Sequence, residues 1–273
     1  MDESRQQMKT ISGVFVTQKK DGSTSYRSSI TYQNKHISLG SFSSPEQAHA
    51  AYEEAALLLR AKEPRALSEH TDNCSLSFEK WVVLLNFRNN QVYFSTPIYV
   101  RPHFFYYYYA KEIVLKFDID DLFYYASHKI MKRGNHYFVA DFGMQVNILN
   151  RYGIKNYAVP GRDYDFQNGD STDFRRENLV IHNKYHGVLI KSDKDGIKYC
   201  ARIHVKSNYV IGSYRTMEEA AIAYNKAIDI LKKNGCKKNY TPNYLENIPA
   251  GMYADIYTRL PISEKILNLH FSE

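Results

Sequence analysis

Cysteine is scarce in this chain: Cys74, Cys200 and Cys236 are its only three. They are far apart, odd in number and form no Cys-x-x-Cys pair. That excludes a disulfide framework and a cysteine zinc site, and it suits a reducing interior. Long apolar runs are also missing. The longest aromatic run, Phe104 to Tyr109, is far too short to span a bilayer. Met1 to Lys9 are polar and lack the apolar stretch of a signal peptide, so a cytoplasmic protein without a membrane partner is expected. No Gly-rich phosphate loop and no Gly-x-Ser-x-Gly nucleophile motif occurs. His49, His70, His103, His128 and His136 are scattered without a His-x-x-x-His pair, so they make no metal site.

What is present is ordinary in bulk. Hydrophobic residues are 44% and charged residues 24%, enough for a normal core. Two features stand out: 24 tyrosines, and a net charge of +7 from 36 basic against 29 acidic side chains. A basic chain attracts polyanions, and tyrosine adds flat faces with a hydrogen-bonding tip. Nucleic acid is therefore the leading partner class, although such a charge also serves solubility alone.

The chain also says one thing twice. Gly13-Val14-Phe15, Tyr26-Arg27-Ser28-Ser29-Ile30, Leu39-Gly40-Ser41-Phe42 and then Ala48, Ala51, Tyr52 and Ala55 make the first copy. Gly187-Val188-Leu189, Tyr199-Cys200-Ala201-Arg202-Ile203, Ile211-Gly212-Ser213-Tyr214 and then Ala220, Ala223, Tyr224 and Ala227 make the second. Two single-residue loop deletions bring them into register. Stacked solenoid repeats would be contiguous; these are two copies of one small module bracketing something else.

Each copy reads as three strands and a helix. Period-two alternation gives the sheet two faces. After Gly40 the period changes, with Ser44 as N-cap and Pro45 in the first turn; Thr216, Glu218 and Glu219 do the same in the second copy. Alanines at three- and four-residue spacing let the helix lie close on one face, leaving the other open. The open face should present Phe15, Thr17, Lys19, Ser29, Thr31, His36 and Ser38 in the first copy. In the second it should present Leu189, Lys191, Arg202, His204, Asn208 and Val210. A twisted antiparallel sheet fits the DNA major groove, where Arg and Lys reach guanine and Asn reads adenine. A merely solvated polar face is the alternative.

This order of residues resembles the Apetala/ethylene-response-factor DNA-binding domain. The elements are Gly-Val, aromatic-x-x-x-Ile, Leu/Ile-Gly-x-Phe/Tyr, and a helix with Ala-Tyr-x-x-Ala. The resemblance implies a sheet lying in the major groove through the residues just named. Members of that family usually carry several arginines there. The first copy offers mainly hydroxyls, Lys19 and His36, so weaker or less base-specific contact is expected from it.

Between the copies, Trp81 to Leu85 and Val92 to Phe94 read as strands around the turn Arg88-Asn89-Asn90-Gln91. Glu112 to Leu115 and His136 to Ala140 read as further strands, and Asp120 to Tyr125 as a helical turn. Tyr106 to Tyr109 is apolar on both faces and reads as a strand buried on both sides, or as a stacking surface for bases.

The end of this segment, Tyr164-Asp165-Phe166-Gln167-Asn168-Gly169-Asp170 through Arg175-Arg176-Glu177-Asn178-Leu179, resembles the HNH nuclease signature. Leu149-Asn150-Arg151 is similar to the upstream Leu/Met-His-Arg element of phage homing endonucleases. Those enzymes often carry an Apetala-type module after the nuclease motif. The resemblance implies a divalent metal on the scissile phosphate and a histidine that deprotonates water. Asp165 falls at a metal-ligand position, but the general-base position holds Phe166, which can neither accept a proton nor ligate. Asn150 stands where the upstream histidine belongs, and Phe174 where an asparagine is usual. The final ligand position is shortened away, leaving His182 or Asn183 as substitutes.

The resulting expectation is an α+β chain. Module 1 spans residues 10–64, a degenerate HNH (ββα-metal-like) domain 75–184, module 2 185–236, and a C-terminal segment packing on the body 237–273. The expected function is binding of double-stranded DNA without cleavage, with no catalytic residue and Asp165, Phe166 and Asn178 as vestiges. Lys191, Arg202, His204, Asn208, Lys19, Thr31, His36, Arg175 and Arg176 would contact DNA. No cofactor is expected. One alternative is a metal-dependent nickase using magnesium at Asp165 and Asn183 with a substituted base. Another is a phage inhibitor that binds a host nucleic-acid-targeting protein through the repurposed modules.

Overall fold

A computed structural model describes residues 11–63, 65–194 and 196–271; the polar stretch Met1 to Lys9 lies outside them. The fold is α+β. The chain forms two compact units, one of residues 1–146 with 171–175, the other of 147–170 with 176–273. The stretch 75–184 is thus shared between the two.

In the first unit, β1 (Val14–Gln18), β2 (Thr24–Tyr32) and β3 (Lys35–Phe42) form an antiparallel sheet in that order. Gln33 and Asn34 both adopt positive φ, which makes the tight β2–β3 hairpin. Helix α1 (Pro45–Arg60) starts at Ser44, whose side chain accepts the Gln47 N–H at 3.3 Å. Ala48, Ala51 and Ala55 are fully buried, and α1 shares a core with Ile30, Ile37 and Leu39. The small side chains are what allow the close approach.

The opening glycine of each copy has the same cause. Gly13 has φ +76°, and a Cβ there would fall 2.1 Å from the Tyr52 ring. Gly187 has φ +68°, and a Cβ there would fall 2.3 Å from the Tyr224 ring and 2.4 Å from the Arg202 carbonyl. The helix tyrosine lies directly on the glycine backbone, so the glycine and the Ala-Tyr pattern are two halves of one contact.

The next element corrects the sequence reading. Trp81 to Phe94 does not form two strands. Residues 78–90 are helix α2 (Phe78–Asn90), capped by Ser77 and ended by Gln91 at φ 59°. Trp81 through Phe87 are all buried, so no polar stripe marks a period of 3.6, and a short apolar run of this kind cannot be told from a strand by alternation. Leu84 and Leu85 join the core that α1 lines with Leu58 and Leu59.

A second sheet contains β4 (Ile98–Val100), β5 (Phe104–Tyr108) and β6 (Val114–Asp118). The aromatic run is buried on one side only: Phe105 and Tyr107 are fully buried, while Phe104, Tyr106 and Tyr108 are half-buried. A short helix α3 (Leu122–Ser127) follows the acidic turn at Asp120 and Asp121. The third sheet is β7 (Met131–Arg133), β8 (His136–Asp141) and β9 (Met144–Asn147). Residues 171–175 dock against β6: Asp173 bridges to Lys116, and the buried Phe174 ring stacks on Phe117 at 5.4 Å.

In the second unit, β10 (Tyr164–Phe166) and β11 (Leu179–Ile181) form an antiparallel hairpin. The module sheet follows as β12 (Val188–Asp193), β13 (Gly196–His204) and β14 (Asn208–Tyr214), covered by α4 (Met217–Lys233). Thr216 and Glu219 close a reciprocal capping box at the start of α4. The C-terminal helices α5 (Ala250–Arg259) and α6 (Glu264–Leu267) pack on this module. Ile256, Leu260 and Ile266 enter the α4 core, and Ser263 donates from its N–H to the Ile211 carbonyl at 2.9 Å.

Candidate nucleic-acid interface

Strand register fixes which side chains share a face. In module 2, Leu189 pairs with Cys200, which pairs with Ser213; Lys191 pairs with Lys198; Arg202 pairs with Val210; and His204 pairs with Asn208. These residues lie on the face away from α4, because Val188, Ala201, Ile203 and Ile211 on the other face are buried in its core. Lys191, His204 and Asn208 are exposed and Arg202 is half-buried, so these four expected contacts share one surface.

Local bonds orient this surface. His204 Nδ1 lies 3.2 Å from Asn208 Oδ1. The amide oxygen can only accept, so Nδ1 is the donor in this bond. The Arg202 backbone N–H donates to the Gly187 carbonyl at 2.7 Å, locking strand β13 to the start of β12.

Module 1 repeats the geometry with different side chains. Phe15, Arg27 and Ser41 align across its sheet, as do Ser29 with Ser38 and Thr31 with His36. Thr31 and His36 are exposed and lie within 3.5 Å of each other through Oγ1 and Nδ1; Lys19 is exposed just past β1. Ser29 belongs to this face by register, yet it is only 8% exposed. The list of open-face residues in this copy needs an addition: Arg27, which it omits, is exposed on the central strand of that face. Its counterpart in module 2 is Cys200, and the counterpart of Arg202 is Ser29. Each module therefore carries one central-strand arginine, two residues apart in register. The alternation that placed Ser29 and Thr31 also assigns Arg27, and that of Arg202 and His204 assigns Lys198.

The nuclease-like hairpin gathers only part of what its motif implies. Asp165 Oδ2 and His182 Nε2 stand 2.8 Å apart, each nearly half exposed (49% and 42%). Phe166, at the base position, packs edge-on against Tyr164. After β11 the chain enters β12 with no helix between, so the helix that a ββα-metal arrangement requires is not at that place. Asn183 is not available as a ligand. It is buried, its amide N–H groups donate to Asp163 Oδ1 and the Val188 carbonyl at 2.8 Å each, and its oxygen accepts from Tyr185. Among the described residues no three His, Cys, Asp or Glu side chains converge. The donors present therefore do not fit a three-ligand catalytic metal.

Asn178 has a structural task. Its Oδ1 accepts from Asn168 N–H at 2.8 Å and its carbonyl from Gln167 N–H, so it ties the hairpin together. Arg175 is already committed: it donates to Asp173 through Nε at 2.9 Å and Nη2 at 2.7 Å. Arg176 is exposed, with its guanidinium over the Tyr152 ring at 5.7 Å. Asp173 is desolvated, but Arg175 and Lys116 outweigh that and hold its carboxyl below the usual range.

No helix among the described residues is long and apolar enough to cross a membrane. No family model, no curated protein and no solved structure matches this chain.

Proposed function

We propose that this chain binds double-stranded DNA through the open faces of its two sheet-and-helix modules and holds it without cutting. The kinship proposed is with HNH homing endonucleases carrying Apetala-type modules. The observation that carries the reading is the alignment of Lys191, Arg202, His204 and Asn208 on one uncovered face of module 2. Cationic and amide donors there match the acceptor edges that purines display in the major groove. Phe166 at the base position and the committed Asn183 speak against cleavage.

Fluorescence anisotropy with labelled duplexes tests it. Counterion release makes affinity fall steeply between low and moderate salt, about tenfold or more for several neutralised phosphates. Affinity that is flat with salt, or undetectable, overturns the proposal.

A second reading, an inhibitor of a host nucleic-acid-targeting protein, has its own observation. Phe15 and Val16 of module 1 and Ile197 and Val210 of module 2 are 56%, 52%, 60% and 47% exposed. Co-purification with one such protein, joined to absence of DNA binding, would favour it.

A further inference from the structure

Module 2 contains a concavity of about 260 Å³ beside its open face. Tyr157, Leu189 and Tyr224 supply its apolar walls, and Gly187 leaves its rim without a side chain. Arg202, His204 and Asn208 supply its polar edge. Tyr157 comes from the loop before β10 and is held by the Gly187 N–H, which donates to its hydroxyl at 2.9 Å. No carboxylate lines the cavity and Arg202 is cationic, so an acceptor-rich or anionic partner is favoured. The Arg202 Nε is buried and has no hydrogen-bond partner among the described residues. A buried guanidinium N–H of this kind is normally satisfied.

The volume lies below that of pockets for drug-sized molecules, which fits one flat ring system better than a larger ligand. Aromatic and aliphatic walls suit a planar face. Beside them, the Arg202 guanidinium and the Asn208 amide carry donors suited to an edge with two adjacent acceptors. Guanine carries that pattern at N7 and O6. Bare phosphate would leave the rings without a role. Proteins that take a base out of the stack use this combination of ring faces and edge donors.

We propose that this cavity receives a single unstacked nucleobase, preferentially guanine, when the module engages DNA. The proposal rests on the DNA-binding reading above and assigns Tyr157, a residue outside the repeated motif, to recognition.

The experiment compares two labelled duplexes that are identical except for one unpaired guanine, using the full chain. The bulged duplex is expected to bind about tenfold tighter, since stacking of one base on an aromatic ring is worth roughly that factor. The readout is the ratio of the two affinities. In Tyr157→Ala, or in Leu189→Trp should the first fail to fold, the ratio should fall to about one. Equal affinities in the unsubstituted protein, or a ratio that survives both substitutions, overturns the cavity assignment and leaves the DNA reading standing.

If neither duplex binds, the DNA reading fails. A titration with guanosine monophosphate followed by amide chemical shifts then decides the cavity by itself. Shifts confined to the neighbourhood of Leu189, Arg202 and Tyr224 retain it. No shifts, or equal shifts with inorganic phosphate, overturn it.

Discussion

His182 Nε2 stands 2.8 Å from Asp165 Oδ2 at the end of the β10–β11 hairpin, so the strand pairing brings an imidazole to this carboxylate. This is the geometry in which a carboxylate orients a base. Among the described residues no third His, Cys, Asp or Glu joins it, and the neighbouring Phe166 contributes no proton acceptor. Supercoiled plasmid is accordingly expected to stay intact with magnesium or manganese. Nicking that disappears in both Asp165→Ala and His182→Ala would instead establish the dyad as a substituted base. Because both side chains are nearly half exposed, either substitution should change unfolding free energy by less than about 1 kcal/mol.

How much of this was legible in the sequence depended on the range of the interactions. The start of α4 could be read because its cap and capping box are local: Thr216 and Glu219 are three residues apart. Helix α2 was not legible, because burial on every side erased the period that distinguishes helix from strand. The fate of Asn183 was invisible for a different reason. Its partners Asp163 and Val188 are brought to it by tertiary structure, and an asparagine spent on them looks the same in sequence as one free to ligate. Arg27 was legible yet passed over: the strand alternation that assigns Ser29 and Thr31 to the open face assigns it as well.

The two modules should contribute through different arginines. Arg202→Ala is expected to weaken duplex binding by about tenfold or more, as loss of a bidentate base contact does. Arg27→Ala should weaken it as well, which a module 1 contact made only by hydroxyls, Lys19 and His36 would not show. Lys19→Ala, an exposed residue beyond the strand, should produce a smaller and sequence-independent loss together with a shallower salt slope. Anisotropy at two salt concentrations separates these outcomes. An effect of Lys19→Ala exceeding that of both arginine variants would reassign the interface to backbone contact alone.

Gly187→Ala should be among the most damaging single changes. Its backbone sits at φ +68°, and the new methyl would meet both a tyrosine ring and the Arg202 carbonyl well inside van der Waals contact. A loss of about 2–4 kcal/mol is expected, combining backbone strain with overpacking. Gly153→Ala is the control. It also has positive φ (+80°), but nothing lies within 4 Å of its position, so only about 1 kcal/mol is expected. Equal losses in thermal or denaturant unfolding would show that the tyrosine contact is soft.

The second unit should lose stability in mild acid through His186. Burial, and then the Lys155 ammonium whose Nζ is 3.2 Å from its Nε2, hold its imidazole below the ordinary histidine range. A base with a depressed pKa takes its proton more readily in the unfolded chain. Its contribution is therefore constant above pH ~6.5 and turns against folding as pH falls from there through the folded-state value. Asp163 acts in a lower window. Burial raises its pKa, but hydrogen bonds from Asn183, Arg162 and the Val159 N–H lower it further, so its stabilisation disappears only below the usual carboxylate range. Hydrogen exchange of second-unit amides at pH 7 and pH 5 is the measurement. Protection should fall at pH 5, and His186→Gln should reduce that fall. An undiminished fall in the variant would place the acid sensitivity elsewhere.

The turn between β8 and β9 holds a destabilising choice that substitution should relieve. Phe142 has φ 46° and Gly143 φ 77°, so both central residues are left-handed, the geometry that hairpins usually meet with Asn-Gly. A bulky side chain in that region costs about 1–2 kcal/mol. Burial does not offset the cost, because the Phe142 side chain is 96% exposed. Phe142→Asn keeps the turn and removes most of the penalty, so the first unit should gain about 1 kcal/mol against denaturant. The single tryptophan, Trp81, is buried in that unit and reports its unfolding by fluorescence. A loss of stability in Phe142→Asn would mean that the ring makes a favourable contact in the folded protein despite its exposure.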